Sequence, residues 1–231
     1  MEVPMMTKTK TLILASLTMA IFSRPAHAFN HYDILSAGYY DGASVAGTVG
    51  FDNVFEKVPV GFELELGYSW SGLGNATLAS QVFINQNQVN NPSTSSGGTL
   101  DLGLNATYPL NQTYGPVKFY VFAGPRWARW DARHEYINNN EDFDVTAYVW
   151  GLGGGLRGVM PLGQKISALL QLGLDYYPRA SIYGHDATYY PNNDNVNARN
   201  NGAGYTYTYA DAEAATAVPH IRPRVMVGLM F

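Results

Sequence analysis

Four carboxylates and five cations recur in this chain at one kind of position. Glu63, Glu65, Asp101 and Asp175, together with Lys118, Arg126, Arg157, Arg222 and Arg224, all lie where apolar and polar residues alternate, and all fall on the polar parity. Side chains of these types, brought face to face, can do one of two things. They can pair carboxylate with guanidinium and fill a narrow space, since an unpaired buried charge is costly. Alternatively, they can line a hydrated path for small ions. Eight strands enclose a space that side chains nearly fill, so pairing is the stronger expectation if the strands below close on themselves.

Other candidate chemistry is thinner. Gly153 to Gly158 reads GGGLRG and satisfies G-x-G-x-x-G, but it lies inside an alternating stretch with no helix after it, whereas a dinucleotide cradle needs a strand-to-helix turn. His31, His134, His185 and His220 are scattered without metal-ligand spacing and read as surface histidines, so no metal and no cofactor is expected. His220, Ser181 and Asp186 could supply acid–base and nucleophilic groups, but no local motif ties them together and no enzymatic activity is expected. Tyr183, Tyr189, Tyr190, Tyr205, Tyr207 and Tyr209 sit among Asn and Gly near the end of the chain. Tyrosine in that company offers adaptable contact surface for an extracellular ligand or host surface. The plainer reading is a solvated loop whose aromatics prop one another.

The elements that must position these residues are strands. In the last stretch, VPHIRPRVMVGLMF, Ile221, Val225, Val227, Leu229 and Phe231 share one face, while His220, Arg222, Arg224 and Gly228 share the other. A slip of one residue would move every arginine into the apolar layer. Similar alternation runs over His31–Tyr40 (with a parity break that suggests a bulge), Ser44–Phe51, Val60–Trp70, Thr99–Tyr108, Val117–Trp127, Phe143–Met160 and Lys165–Arg179. With the last stretch these make eight strands. The connections at Ser71–Gly98, Asp131–Asp142 and 180–217 read as long polar loops, and 205–209 (Tyr-Thr-Tyr-Thr-Tyr) as an extension of the last hairpin. Asp52–Pro59, Pro109–Gly115 and Pro161–Gln164 read as short links at the opposite end.

Lys8 and Lys10, an apolar run from Leu12 to Phe22 and Ala26-His27-Ala28 form the pattern of a cleaved secretory signal over residues 1–28. The run is well short of the roughly 20 residues that span a bilayer as a helix. Losing that segment removes three cations and one anion, which takes the formal charge from −4 to −6. An acidic chain argues against nucleic-acid binding. The absence of cysteine excludes disulfides and Cys-based metal sites. Residues 29–231 show no composition shift and are expected to form one domain.

Three features argue that the apolar face looks out into lipid rather than in toward a soluble core. The strands run to about 11 residues, enough to cross hydrocarbon at a tilt. Aromatics end the apolar faces in two girdles, with Trp70, Trp127, Trp150 and Tyr176 toward the loops and Tyr108 and Phe231 toward the turns. The polar faces are rich in glycine, as a narrow lumen with large charged groups requires. The expected fold is thus all-β, an eight-stranded antiparallel up-and-down transmembrane β-barrel. This pattern resembles the small OmpA/OmpX-type outer-membrane barrels and their opacity-protein and surface-antigen relatives. The resemblance implies export to the bacterial outer membrane, contact with lipid and lipopolysaccharide, and recognition of Phe231 by the barrel-assembly machinery. It also implies a structural or surface-recognition role, with a passive small-solute channel or a lipid A-modifying enzyme as alternatives.

Overall fold

The computed structural model describes residues 30–55, 58–71, 74–84, 92–136, 142–216, 218 and 220–231. The expected signal segment, residues 1–28, lies outside them. The strands are β1 (Asn30–Tyr40), β2 (Gly42–Asp52), β3 (Gly61–Ser71), β4 (Pro92–Tyr114), β5 (Val117–Tyr136), β6 (Phe143–Pro161), β7 (Ser167–Tyr176), two-residue β8 (Ile182–Tyr183) and β9 (Thr188–Tyr189), and β10 (Ile221–Met230). Helices α1 (Ala76–Phe83) and α2 (Tyr209–Thr216) lie in the long connections. Neighbours in sequence pair antiparallel from β1 to β7, and β10 joins β7 to β1, so eight strands close an all-β barrel. At the seam Phe231 exchanges backbone hydrogen bonds with Asp33 (2.9 and 3.3 Å), so no polar edge is left there.

Parity is obeyed throughout the closed part. Leu64, Leu104, Leu172, Leu174 and Val227 are about half exposed on the outer wall, whereas Arg222, Arg157 and Arg126 are 2 % exposed or less inside. Strand β1 carries no bulge: its pairing with β2 runs unbroken from Asn30–Asp52 to Tyr39–Ala43. Its parity break has another cause. Tyr32 and Ile34 point inward and pack with Val159 and Leu169, forming an apolar layer at the turn end of the lumen.

The connections depart further from expectation. Strand β4 begins at Pro92 and β5 runs on to Tyr136, so two stretches expected as loop are strand, and α1 occupies part of the first. The turn expected over Pro109–Gly115 is instead strand with an irregularity between Pro109 and Thr113, and the chain reverses at Gly115, whose φ of 58° suits glycine. The segment 205–209 forms no hairpin extension. Thr208 precedes α2 there and is held by the Asp211 carboxylate, which accepts from its N–H at 2.7 Å and from its hydroxyl at 2.9 Å.

These additions build a second core above the barrel. Along β5 the inward residues change from Arg126 to Ala128, Trp130 and Ala132, and β6 supplies Val149, Ala147, Val145 and Phe143. Against this inner wall pack Ala79, Val82 and Phe83 of α1 and Ala212 and Ala215 of α2, all of them fully buried. Outward on the same strands, Arg129, Asp131 and Arg133 replace the apolar band, which ends at Trp127. The strands therefore run on past the apolar band, with charged residues outward, as the walls of a small cap.

Candidate functional site: the ionic lumen

Between the two apolar layers lies a belt of paired charges. Four carboxylates (Glu63, Glu65, Asp101, Asp175) and four arginines (Arg126, Arg157, Arg222, Arg224) are buried together, so the belt is formally neutral. Nearest the turn end, both oxygens of Glu63 accept from Arg157, the longer contact being 3.0 Å, and Tyr32 donates its hydroxyl to Glu63 at 2.7 Å. The same guanidinium donates to Gln171 at 3.1 and 3.3 Å and covers the ring of Phe122. Above it, Arg224 bridges the lumen, donating to Glu65 of β3 at 2.5 Å and to Asp175 of β7 at 2.8 Å. Asp175 also accepts from Arg126 at 3.3 Å and from the Tyr40 hydroxyl.

The upper tier is Arg222. It pairs with Asp101 and donates to Ser69 Oγ at 2.5 Å and to the Tyr40 carbonyl at 3.1 Å. Tyr40 lies under both guanidinium groups, 3.9 Å from Arg222 and 4.4 Å from Arg224 measured to the ring centre. Tyr177, buried at the base of the cap, meets the Tyr40 hydroxyl at 2.9 Å and so connects cap to belt. Glycine makes the room for these large groups. A Cβ on Gly153 would collide with Asp175 Oδ1, and one on Gly50 would collide with the Tyr32 ring.

Eight of the nine charged residues expected inside are brought together. Lys118 is not: it faces the lumen parity opposite Val159, but at the rim beside the β4–β5 turn, where its side chain is exposed. Sequence reading missed the neutral members of the belt. Ser69 and Gln171 lie on the polar parity of their strands, the one signal that could have found them, whereas Tyr32 and Tyr40 share the inward parity of β1 with Ile34, where the sequence shows no such contrast. All six girdle aromatics point outward; Trp70, Tyr108, Trp150, Tyr176 and Phe231 are exposed and Trp127 is half-buried against Tyr148.

The loop tyrosines divide. Tyr183 and Tyr205 are exposed, and Tyr190 and Tyr207 are half-buried. Tyr189 and Tyr209 are buried and cannot serve as contact surface. Tyr189 packs edge-on against Phe83 and donates to the Val82 carbonyl at 2.9 Å, and Tyr209 donates to the Ala180 carbonyl at 3.0 Å. A Tyr with a partner for its hydroxyl is a core-forming residue, and the cap uses these two as such.

Nor are all the histidines superficial. His134 is 1 % exposed, its Nδ1 3.0 Å from Ser95 Oγ, and burial holds its pKa below the usual imidazole value despite the opposing charge of Asp144. His220 is bound through both ring nitrogens, to the Tyr177 carbonyl (3.0 Å) and to Glu213, and no hydrogen bond joins it to Ser181 or Asp186. That ring fastens α2 to β10 and has no nitrogen left for a substrate. The G-x-G-x-x-G run lies in mid-strand in β6. Among the described residues, no group of His, Asp and Glu could hold a metal ion.

No family model matches the chain, and none of the curated proteins does. Among solved structures, a major outer membrane protein from Thermus thermophilus is similar with a TM-score of 0.66 at 17% sequence identity, over 89% of this chain and 99% of that one. Neisserial surface protein A (NspA) is similar with a TM-score of 0.44 at 10% identity, over 88% of this chain and 98% of that one. The chain therefore has the closed, eight-stranded, antiparallel β-barrel fold, and shares it with the Thermus outer-membrane protein.

Proposed function

We propose that the protein is an integral outer-membrane barrel with a closed lumen, whose cap faces the outside of the cell and serves envelope structure or surface recognition. The observation that carries this reading is the neutral belt of four carboxylates and four arginines, each 5 % exposed or less, held between an apolar layer below and an apolar cap above. Small ions would have to break several buried pairs to pass. Outside, the half-exposed leucines and valines between two rows of aromatics match a hydrocarbon zone with its interfaces. Export by a cleaved signal and assembly through Phe231 belong to the same reading. Tyr183 and Tyr205, on the cap's surface, are the residues offered to an extracellular ligand.

Conductance across a planar bilayer tests closure. The native protein gives no current steps, and Arg224→Ala, which takes the paired cation from Glu65 and one of two from Asp175, gives them. Steps of equal size in both would favour a passive channel for small solutes. One observation favours that second reading: Asp101 Oδ2, Arg126 Nη2 and both amide atoms of Asn105 are buried without a hydrogen-bond partner among the described residues, and such groups call for water. The lipid A-modifying alternative is tested by mass spectrometry of lipid A with and without expression, where an unchanged spectrum is expected.

A further inference from the structure

Between β9 and α2 the cap's chain closes on itself in a tight loop. The Tyr207 N–H donates to the Arg199 carbonyl at 2.7 Å, Asn200 bridges to Thr206, and the Asn201 N–H donates to the Tyr205 carbonyl at 3.0 Å. At the tip stands Asn201-Gly202, the one Asn-Gly step in the sequence. Residues 200–206 are exposed, and a Cβ at Gly202 would meet nothing within 4 Å. Gly202 has a φ of 74° and Gly204 one of 92°, the left-handed backbone that lets so short a tip turn.

Although exposed, the Asn201 side chain is held. Its Oδ1 accepts from the Ala203 N–H at 2.9 Å and from the Tyr205 N–H at 3.2 Å. The first of these bonds is an Asx turn, which folds the side chain forward over the following peptide, so that Cγ faces the Gly202 nitrogen. Glycine has no Cβ to shield that nitrogen. Two backbone N–H groups on one amide oxygen also do a second thing: they sit where negative charge gathers when the adjoining carbon is attacked. The Gly202 N–H itself donates to Asn200 Oδ1 at 3.2 Å, which fixes the orientation of that peptide. Among the described residues, the Asn201 Nδ2 has no hydrogen bond that would keep it from leaving.

We infer that Asn201 is a site of spontaneous covalent modification, deamidated through a cyclic imide that the folded loop itself promotes. The Gly202 nitrogen bonds to Asn201 Cγ and gives up its proton to hydroxide or water, and the Cγ–Nδ2 bond breaks with ammonia leaving. Water then opens the imide. Addition at Cγ releases the Gly202 nitrogen to the backbone carbonyl and yields aspartate; addition at the backbone carbonyl leaves that nitrogen on Cγ and yields isoaspartate. In sum, one water is consumed and one ammonia released, with no change of oxidation state. Aspartate keeps both N–H bonds and strengthens them with its charge. Isoaspartate adds a methylene to the main chain and breaks the pairing of Asn201 with Tyr205. Either product places one new negative charge next to Tyr205, whose hydroxyl already donates to Asp211 at 2.7 Å. If the cap recognises an outside ligand as proposed above, its surface at Tyr205 exists in two charge forms, whereas the chemistry depends on the loop's fold alone.

Peptide mapping by mass spectrometry of the full-length mature protein, folded in detergent and held at neutral pH, follows the conversion of amide to acid residue by residue. Asn201 should convert about tenfold faster in the folded protein than in the same chain unfolded in urea, because only the fold holds two N–H groups on Oδ1. Gly202→Ala, which sets a methyl group beside the attacking nitrogen, should slow the conversion by about as much. Heat-modifiable migration on a gel establishes that the variant is a folded barrel. Conversion in the folded native protein at or below the unfolded rate would overturn the inference, as would an unchanged rate in folded Gly202→Ala. The rates are read in detergent, whichever side of a membrane the cap faces.

Discussion

Arg157 is 2 % exposed, and its charge is tolerated there because Glu63 takes two of its N–H groups, Gln171 takes further ones, and the ring of Phe122 covers its face. Taking such an ion out of water costs several kcal/mol, which the pairing repays only while both partners are present. Arg157→Met should therefore lower stability by about 3–5 kcal/mol, leaving Glu63 buried beside Tyr32 without its cation. Adding Glu63→Gln should restore part of that loss. Urea unfolding in lipid vesicles measures both, and a single variant within about 0.5 kcal/mol of native would mean that the pair is solvated. His134 obeys a different rule. Burial depresses its pKa, so below the ordinary value of 6.5 the unfolded cap binds a proton that the folded cap refuses. Cap stability should then fall as pH drops through that range and recover as pH rises. The fluorescence of Trp130, buried in the same core, follows the change, and His134→Gln should flatten it.

At the scale of elements, the barrel strands were legible and the cap was not, for one physical reason. Within the apolar zone the outward parity is oily and the lumen parity ionic, so the two faces of Val60–Trp70 or Thr99–Tyr108 contrast strongly. Above Trp127 the contrast reverses: the outer parity carries Arg129, Asp131 and Arg133 while the inner one carries Ala128, Trp130 and Ala132. The run Phe143, Val145, Ala147, Val149 shows the same reversal, and a reader looking for one fixed polarity takes such segments for loop. Strand β4 hides further, because its upper part, PSTSSGGT, has only small residues and no large inward side chain. Helix α1 is eight residues long, too short to stand alone, and is held by its Asn75 cap and by Phe83 against Tyr189. Phe83→Ala should thus cost the cap about 3–5 kcal/mol and leave the barrel closed. Limited proteolysis would show new cleavage within 74–84 and 180–216 with the barrel strands intact. Loss of the whole barrel to the protease would mean that cap and barrel are a single cooperative unit.

For the molecule as a whole, three layers of different chemistry are stacked along one axis, and the ionic one does what an apolar filling could not. Leucines pack almost as well one residue out of register. Arg224 does not, because it must meet Glu65 on β3 and Asp175 on β7 at once, and Arg222 must meet Asp101 on β4. These contacts join the last strand to strands far away in sequence, and each is lost if β10 slips by one position. The outer wall makes the complementary demand, and it can be tested apart from the lumen. Leu104 lies at the middle of the outward row Leu100–Tyr108 of β4, half exposed, with no ionic neighbour in that row. Arginine there should cost about 2–4 kcal/mol if the wall faces hydrocarbon, whereas arginine at Thr94, on the same strand but beside the cap's exposed ion pairs, should cost almost nothing. Folding yields into vesicles, followed by urea titration, give both numbers. Equal penalties at the two positions would mean that the oily band is buried against something other than lipid.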